Sequence, residues 1–385
     1  MTSSPTWPRR STGTPAPKTF ATRLLHTGHE VDPVTGAAAV PIYQVSMFDQ
    51  PGLETPGEFD YARSGNPTRK ALEGVLATLD EGAGAFAFGS GMAALSTVLM
   101  LFSAGDHLVV TDDCYGGTYR VLTRVFSRFG LKATFVDTSD PEAVRAAFRP
   151  ETKGLLVETV SNPFLRRTDV KAMSALARTY GALLIVDNTF LSPYLSRPLT
   201  EGADIVVHSA TKFLSGHSDV IAGTVAVRTP ELAKEVYFLQ NAVGAVLGPQ
   251  DCFLLQRGIK TLQVRMERQV RTAAALARWL AGRHEIERVY YPGIGAVVSF
   301  RLASDAMTSS FVEALKLPLL GVSLGAVESI LTVPARHSHA SVPAAERERR
   351  GITDALIRFS VGLEDVEDLQ ADLANALGRA FREAA

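Results

Sequence analysis

Apolar positions along this chain fall into two regimes. Between residue 71 and about residue 260, short unbroken apolar runs alternate with segments whose apolar residues recur every three or four positions. The runs at His107–Val110, Ala133–Val136, Gly154–Val157, Leu183–Val186 and Ile205–Val207 predict strands buried on both faces. Ala71, Leu72, Val75, Leu76 and Leu79 share one face of a predicted helix, and Met92–Leu101, Pro141–Phe148 and Val170–Tyr180 read as further helices. After about residue 260 the alternation stops. Leu262, Met266, Val270, Ala273, Ala277 and Leu280 mark one long amphipathic helix, and Val366, Leu369, Leu373, Leu377 and Phe381 mark another at the end of the chain.

Strands alternating with helices argue an α/β fold with a mostly parallel sheet covered on both faces. Four stretches follow: a disordered Ser/Thr/Pro/Arg-rich tail over 1–17, an arm over 18–70 with little periodicity, a large sheet domain over 71–260, and a smaller C-terminal domain over 261–385. A length of 385 residues fits two cores better than one.

Composition removes several classes of function. The 39 basic and 40 acidic residues nearly cancel, which argues against nucleic acid or an anionic membrane as partner. No apolar run reaches spanning length. Arg9 and Arg10 are not followed by an apolar stretch, so no signal peptide is expected. Two cysteines, Cys114 and Cys252, cannot build a disulfide framework, and a reducing, cytoplasmic setting is expected. His337 and His339 have no evident third ligand, so no metal is expected.

In open parallel sheets, ligands sit beyond the carboxyl ends of the strands. Those ends here carry Asp187-Asn188-Thr189, His208-Ser209-Ala210-Thr211-Lys212 and, after an acidic pair, Tyr115-Gly116-Gly117. Gly89-Ser90-Gly91 opens a helix toward the same rim. This set suits pyridoxal phosphate. Lys212 supplies the amine for a Schiff base, Asp187 a carboxylate that keeps the pyridine nitrogen protonated, the helix start and hydroxyls a phosphate seat, and Tyr115 a ring to stack. A competing reading takes Gly89–Ala94 as a dinucleotide fingerprint, with Asp112 as its ribose contact, and would make the chain a dehydrogenase. It leaves Lys212 unexplained. A catalytically idle fold kept for binding is a third reading, which predicts colour without turnover.

Many ordered motifs carry a resemblance that runs from about residue 20 to the end. Tyr61-Ala-Arg-Ser-Gly-Asn-Pro-Thr-Arg69, Ser90-Gly-Met-Ala-Ala94, Asp113-Cys-Tyr-Gly-Gly-Thr-Tyr-Arg120, Val186-Asp-Asn-Thr-Phe190, His208-Ser-Ala-Thr-Lys212, Gly216-His-Ser-Asp219, Arg257-Gly-Ile-Lys-Thr-Leu262 and Arg358-Phe-Ser-Val-Gly-Leu-Glu-Asp365 resemble the cystathionine synthase/lyase family of Cys/Met-metabolism pyridoxal-phosphate enzymes. The resemblance implies fold type I, like aspartate aminotransferase: a large cofactor domain plus a smaller α+β domain. It implies Lys212 as Schiff-base lysine and proton shuttle, Asp187 on the pyridine nitrogen, and Tyr115 stacked on the ring as a possible acid or base. Gly91, Met92, Ser209 and Thr211 would hold the phosphate. Tyr61 and Arg63 would reach the phosphate of a neighbouring subunit, in a homotetramer built from active dimers. Arg358 would grip the substrate carboxylate, with Ser323 and Asn162 nearby.

The activity so implied is an α,γ-eliminating carbon–sulfur lyase on L-methionine or L-cystathionine, giving 2-oxobutanoate, ammonia and a thiol. Cystathionine γ-synthase is the alternative. Asp60 and Arg120 resemble the cystathionine enzymes, Val322 resembles methionine γ-lyases, and Gly117 replaces a cysteine usual in the latter. Two departures fall in the C-terminal part: a short connection after Pro292-Gly293, and Leu317–Val322, where Pro318 would strain a strand.

Overall fold

The computed structural model describes residues 19–28, 32, 35–340 and 342–384. The expected tail over 1–17 lies outside them. Among the described residues, twelve strands form two sheets. β1 (Gly84–Phe88), β2 (His107–Thr111), β3 (Lys132–Val136), β4 (Thr152–Glu158), β5 (Leu183–Asp187), β6 (Ile205–His208) and β7 (Gly223–Val227) build the larger, in the order β1-β7-β6-β5-β4-β2-β3. From β3 to β6 every pairing is parallel. β7 and β1 close one edge antiparallel.

The apolar runs become strands because both faces are covered. Val109, Val157, Val186 and Val206 point to one side and pack with Leu72, Leu76, Met173 and Leu176. Their neighbours Val110, Leu156, Ile185 and Val207 point to the other, against Leu95, Val98 and Val236. Each such side chain contributes about 1.5–3 kcal/mol on burial. The antiparallel pair β1 and β7 did not stand out in the sequence. Its strands are paired through residues about 140 apart in the chain, a contact that local pattern does not encode.

The second sheet contains β8 (Ile286–Tyr290), β9 (Val297–Leu302), β10 (Leu319–Leu320), β11 (Ile330–Thr332) and β12 (Leu356–Ser360), in the order β10-β11-β12-β9-β8. Helices Leu262–Ala281 and Val366–Ala384 pack on it through Leu276, Leu280, Leu369, Leu373 and Leu377 against Val298, Phe300, Ile357 and Phe359. Pro318 is accommodated because β10 starts after it, is two residues long and sits at the sheet edge. The short connection leaves Tyr291–Ala296 as a turn between β8 and β9, closed by the Tyr291 hydroxyl donating to the Gly295 carbonyl at 3.1 Å.

Several contacts join the two sheet units at one rim. Arg265, on the long helix, donates Nη1 to the Phe213 carbonyl at 2.8 Å and so holds the turn that carries Lys212. The loop from Gly321 to Ser329 folds onto the same turn, with Val327 N donating to Gly216 O at 2.9 Å. Gly325 makes this approach possible. Its φ is +83°, and a Cβ there would lie 2.6 Å from Phe213 N.

Candidate active site

A cavity of about 250 Å³ opens at the carboxyl ends of β4, β5 and β6 and is roofed by the second sheet. Lys212, Asp187, Tyr115, Gly91, Met92, Ser209, Thr211, Asn162, Val322 and Arg358 all line it. Ser323 joins them by accepting from Lys212 Nζ at 2.8 Å. Ten of the 20 residues that line the cavity were candidates in the sequence. Tyr61 and Arg63 lie elsewhere, exposed beside a separate recess with Arg69 and Pro249, the Arg63 guanidinium 5.4 Å from the Tyr61 ring centre. Asp60 lines another recess with Glu58 and Lys70. Arg120 is exposed on helix Gly116–Arg124 and is not among the residues lining the cavity.

Asp187 ends β5, and Thr189 secures it. The Thr189 amide donates to Asp187 Oδ1 at 2.9 Å and its hydroxyl at 2.5 Å. Among the described residues the other carboxylate oxygen accepts no hydrogen bond. Burial pushes the Asp187 carboxyl above the usual range, and the Thr189 donors act against that rise. Lys212 is moved the opposite way. Burial, and then the positive charge of Arg358, lower its ammonium to about 8, so the neutral amine is accessible near physiological pH.

Arg358 is a buried cation, 1% exposed, on β12. Nη1 donates to Asn162 Oδ1 at 3.0 Å, and Nη2 to Ser323 O at 3.0 Å and Thr332 Oγ1 at 3.1 Å. Every one of these acceptors is neutral, and among the described residues its buried Nε has no partner. Burial lowers its pKa to about 10. A guanidinium held this way is a ready socket for a carboxylate.

Four residues have supporting roles that the sequence did not assign. Thr189 is one. His339, with a pKa lowered to about 4 by burial and by Arg358, is neutral, and its Nε2 donates to the Asn162 carbonyl at 3.1 Å. It thereby steadies the residue that holds Arg358. Asp113 bonds the Ser161 hydroxyl and, at 3.2 Å, the Phe164 amide, fixing the turn around Asn162. Glu158 lines the cavity at the end of β4. Asking what ends each strand would have found it. Cys114 is buried, burial holds its thiol well above its ordinary value, and it does not line the cavity.

The dinucleotide reading fails on topology. β1, which precedes Gly89, pairs antiparallel with β7 and is no part of a parallel crossover. Asp112 is engaged by Arg166 at 3.6 Å, and its carbonyl accepts from Arg350 at 2.5 Å, away from the cavity. Among the described residues no three His, Cys, Asp or Glu gather as a metal site, and no helix is long and apolar enough to cross a membrane.

The residues fit pyridoxal phosphate. Gly91 starts helix Gly91–Leu99, whose first amides have no helical carbonyl to reach. A Cβ on Gly91 would press to 2.9 Å from Ser209 Cβ, so the helix start and the Ser209–Thr211 turn form one close seat. Around that seat stand an aromatic ring and, among the described residues, an amine without a carboxylate partner and a carboxylate with one oxygen free. Fold and site together define a pyridoxal-phosphate enzyme.

Comparison with known proteins narrows this. The model of the family "Cys/Met metabolism PLP-dependent enzyme" matches residues 21–378. Cystathionine beta-lyase MetC of Bacillus subtilis is 51% identical over 375 residues, covering 93% of this chain and 96% of its own. Cystathionine gamma-lyase of the same organism is 49% identical over 372 residues, covering 92% and 98%. The crystal structure of cystathionine gamma-lyase from Lactobacillus plantarum complexed with L-serine superimposes with a TM-score of 0.93 at 44% identity, covering 94% of this chain and all of that one. The similarity extends to cystathionine gamma-synthases. The chain belongs to the Cys/Met metabolism family of pyridoxal-phosphate-dependent enzymes, with fold type I architecture, and its relatives make it a carbon–sulfur lyase or synthase.

Proposed function

We propose that the chain cleaves L-cystathionine on the γ side of sulfur, releasing 2-oxobutanoate, ammonia and cysteine. The observation that carries cystathionine over methionine is the space at Gly117. A Cβ there would collide with the Tyr115 ring and come within 2.9 Å of Met92 Sδ. The cysteine usual in methionine γ-lyases has no room while Tyr115 lies against this helix start. Val322, 66% exposed at the mouth, speaks for methionine, but an exposed position weighs less than a blocked one.

Pyridoxal phosphate, when bound, supplies an electron sink for charge developing at the substrate α-carbon. Gly91, Met92, Ser209 and Thr211 would hold it, and Asp187 would keep its ring nitrogen protonated. Arg358 attracts the substrate carboxylate, its free Nη1 hydrogen offering a charge-assisted bond, and orients the α-carbon toward Lys212. Lys212 Nζ accepts the α-proton as a neutral amine and returns it further along the substrate. Tyr115, 40% exposed in the cavity, is a second group able to move a proton, as γ-chemistry needs. Tyr61 and Arg63, exposed and outside this chain's own cavity, serve the site of a neighbouring subunit in a homotetramer built from active dimers. Two free, buried cysteines support a cytoplasmic setting.

The test is a product assay on the purified holoenzyme with L-cystathionine and L-methionine separately. Faster 2-oxobutanoate from cystathionine is expected. Faster release from methionine overturns the choice of substrate. The similarity to a β-lyase favours a second reading, cleavage on the β side, which pyruvate would report. Cystathionine made from cysteine and an activated homoserine, with little elimination, would mark a γ-synthase.

A further inference from the structure

Glu158 is buried, lines the cavity and has no part in the chemistry above. It ends β4 directly opposite Asp187 on the parallel neighbour β5. Residues so paired project to the same face, so two carboxyl groups stand side by side at the rim. Their environments differ. Asp187 receives both donors of Thr189. Among the described residues, the hydrogen bond to Glu158 comes from the Tyr115 amide, which donates to Oε1 at 2.8 Å. Tyr115 is the residue from which helix Gly116–Arg124 starts.

We propose that Glu158 is a positioning residue for Tyr115 and Asp187: a neutral carboxylic acid that anchors the Tyr115 amide and leaves Asp187 as the ionised member of the pair. The inference rests on the reading that Tyr115 and Asp187 serve the cofactor. Two adjacent buried carboxylates do not both ionise readily, and the one with the better donors keeps the charge. A helix N-terminus favours an anion, but by less than a second buried negative charge costs. Burial and then the charge of Asp187 push the Glu158 carboxyl well above its usual value, in the same direction. A neutral acid still offers its carbonyl oxygen to the Tyr115 amide, so the anchor needs no charge.

The experiment compares wild-type holoenzyme with Glu158→Gln and Glu158→Ala. An infrared difference spectrum between wild type and Glu158→Gln at neutral pH should show loss of one protonated-carboxyl stretch. Visible circular dichroism of the bound cofactor should change in Glu158→Ala, as the Tyr115 ring loses its anchor, and return toward wild type in Glu158→Gln. Activity should follow, falling about tenfold in kcat/KM for Ala and recovering for Gln. Absence of the infrared difference, or a Gln variant as impaired as Ala, overturns the proposal. Should the Ala variant fail to fold, the infrared comparison with Gln still decides. A wild-type protein with no visible cofactor band would instead strike the reading of Tyr115 and Asp187 on which this rests.

Discussion

The rim of the large sheet and the edge of the small one meet across a single cavity, yet they are built differently. On the cofactor side, Asp187, Ser209, Thr211 and Lys212 sit at strand ends or in the turn after β6, in a sheet buried on both faces. Their positions follow from strand register, which burial enforces. On the substrate side, Val322 and Ser323 sit just beyond β10, a two-residue edge strand whose Leu319 and Leu320 are exposed. Only Arg358, on the central strand β12, is as fixed as the cofactor groups. The difference teaches where change is tolerated. A rim in which the ends of β4, β5 and β6 all reach the cavity has little freedom, while an exposed edge can alter and shift specificity without loosening the cofactor.

That comparison can be broken at its rigid end first. Lys212→Ala should lower turnover by roughly 10³-fold or more and remove the enzyme's ordinary visible cofactor band. A persistent band with residual turnover would remove Lys212 from the chemistry. Arg358→Ala should raise KM for every amino-acid substrate by about 10²-fold, because a carboxylate would lose a buried cationic partner. Steady-state kinetics check this, and unchanged KM would make the buried guanidinium merely structural.

Smaller effects sharpen the contrast. Gly117→Cys should displace the Tyr115 ring and cost about tenfold in kcat/KM on cystathionine; equal rates would show that the ring yields freely. Val322→Glu should move the cystathionine-to-methionine preference toward cystathionine by only about threefold, since a charge at so exposed a position is screened and contributes about 1 kcal/mol or less. A change as large as that at Gly117 would mean the edge closes over the substrate. Finally, burial and Arg358 disfavour the Lys212 ammonium form, so its neutral amine predominates above about pH 8. In cofactor-free protein, acylation of Lys212 should rise through that pH, and Arg358→Ala should move the midpoint upward.

Strand ends were legible wherever an apolar run stopped at a polar residue, as at Asp187 and at His208 to Lys212. The same rule applied to Thr152–Glu158 points to Glu158, a residue first noticed in the structure. Asn162 and Arg358 came from resemblance, since neither lies in a periodic segment that marks it. The supporting roles of His339 and Asp113 were not legible. Each acts by bonding the turn around Asn162, and His339 lies 177 residues from it in the chain.

By itself, then, the sequence determined the buried parallel strands, the long covering helices and the identity of the groups at the strand ends, because periodicity and strand termini are local properties. Tertiary structure alone decided which of those groups share a cavity. It paired Glu158 with Asp187 across neighbouring strands, pressed Gly117 against Tyr115, and surrounded Arg358 with neutral acceptors. It also left Tyr61, Arg63, Asp60 and Arg120 outside that cavity. Burial and charge coupling depend on which residues become neighbours in space, and spacing along the chain does not specify that.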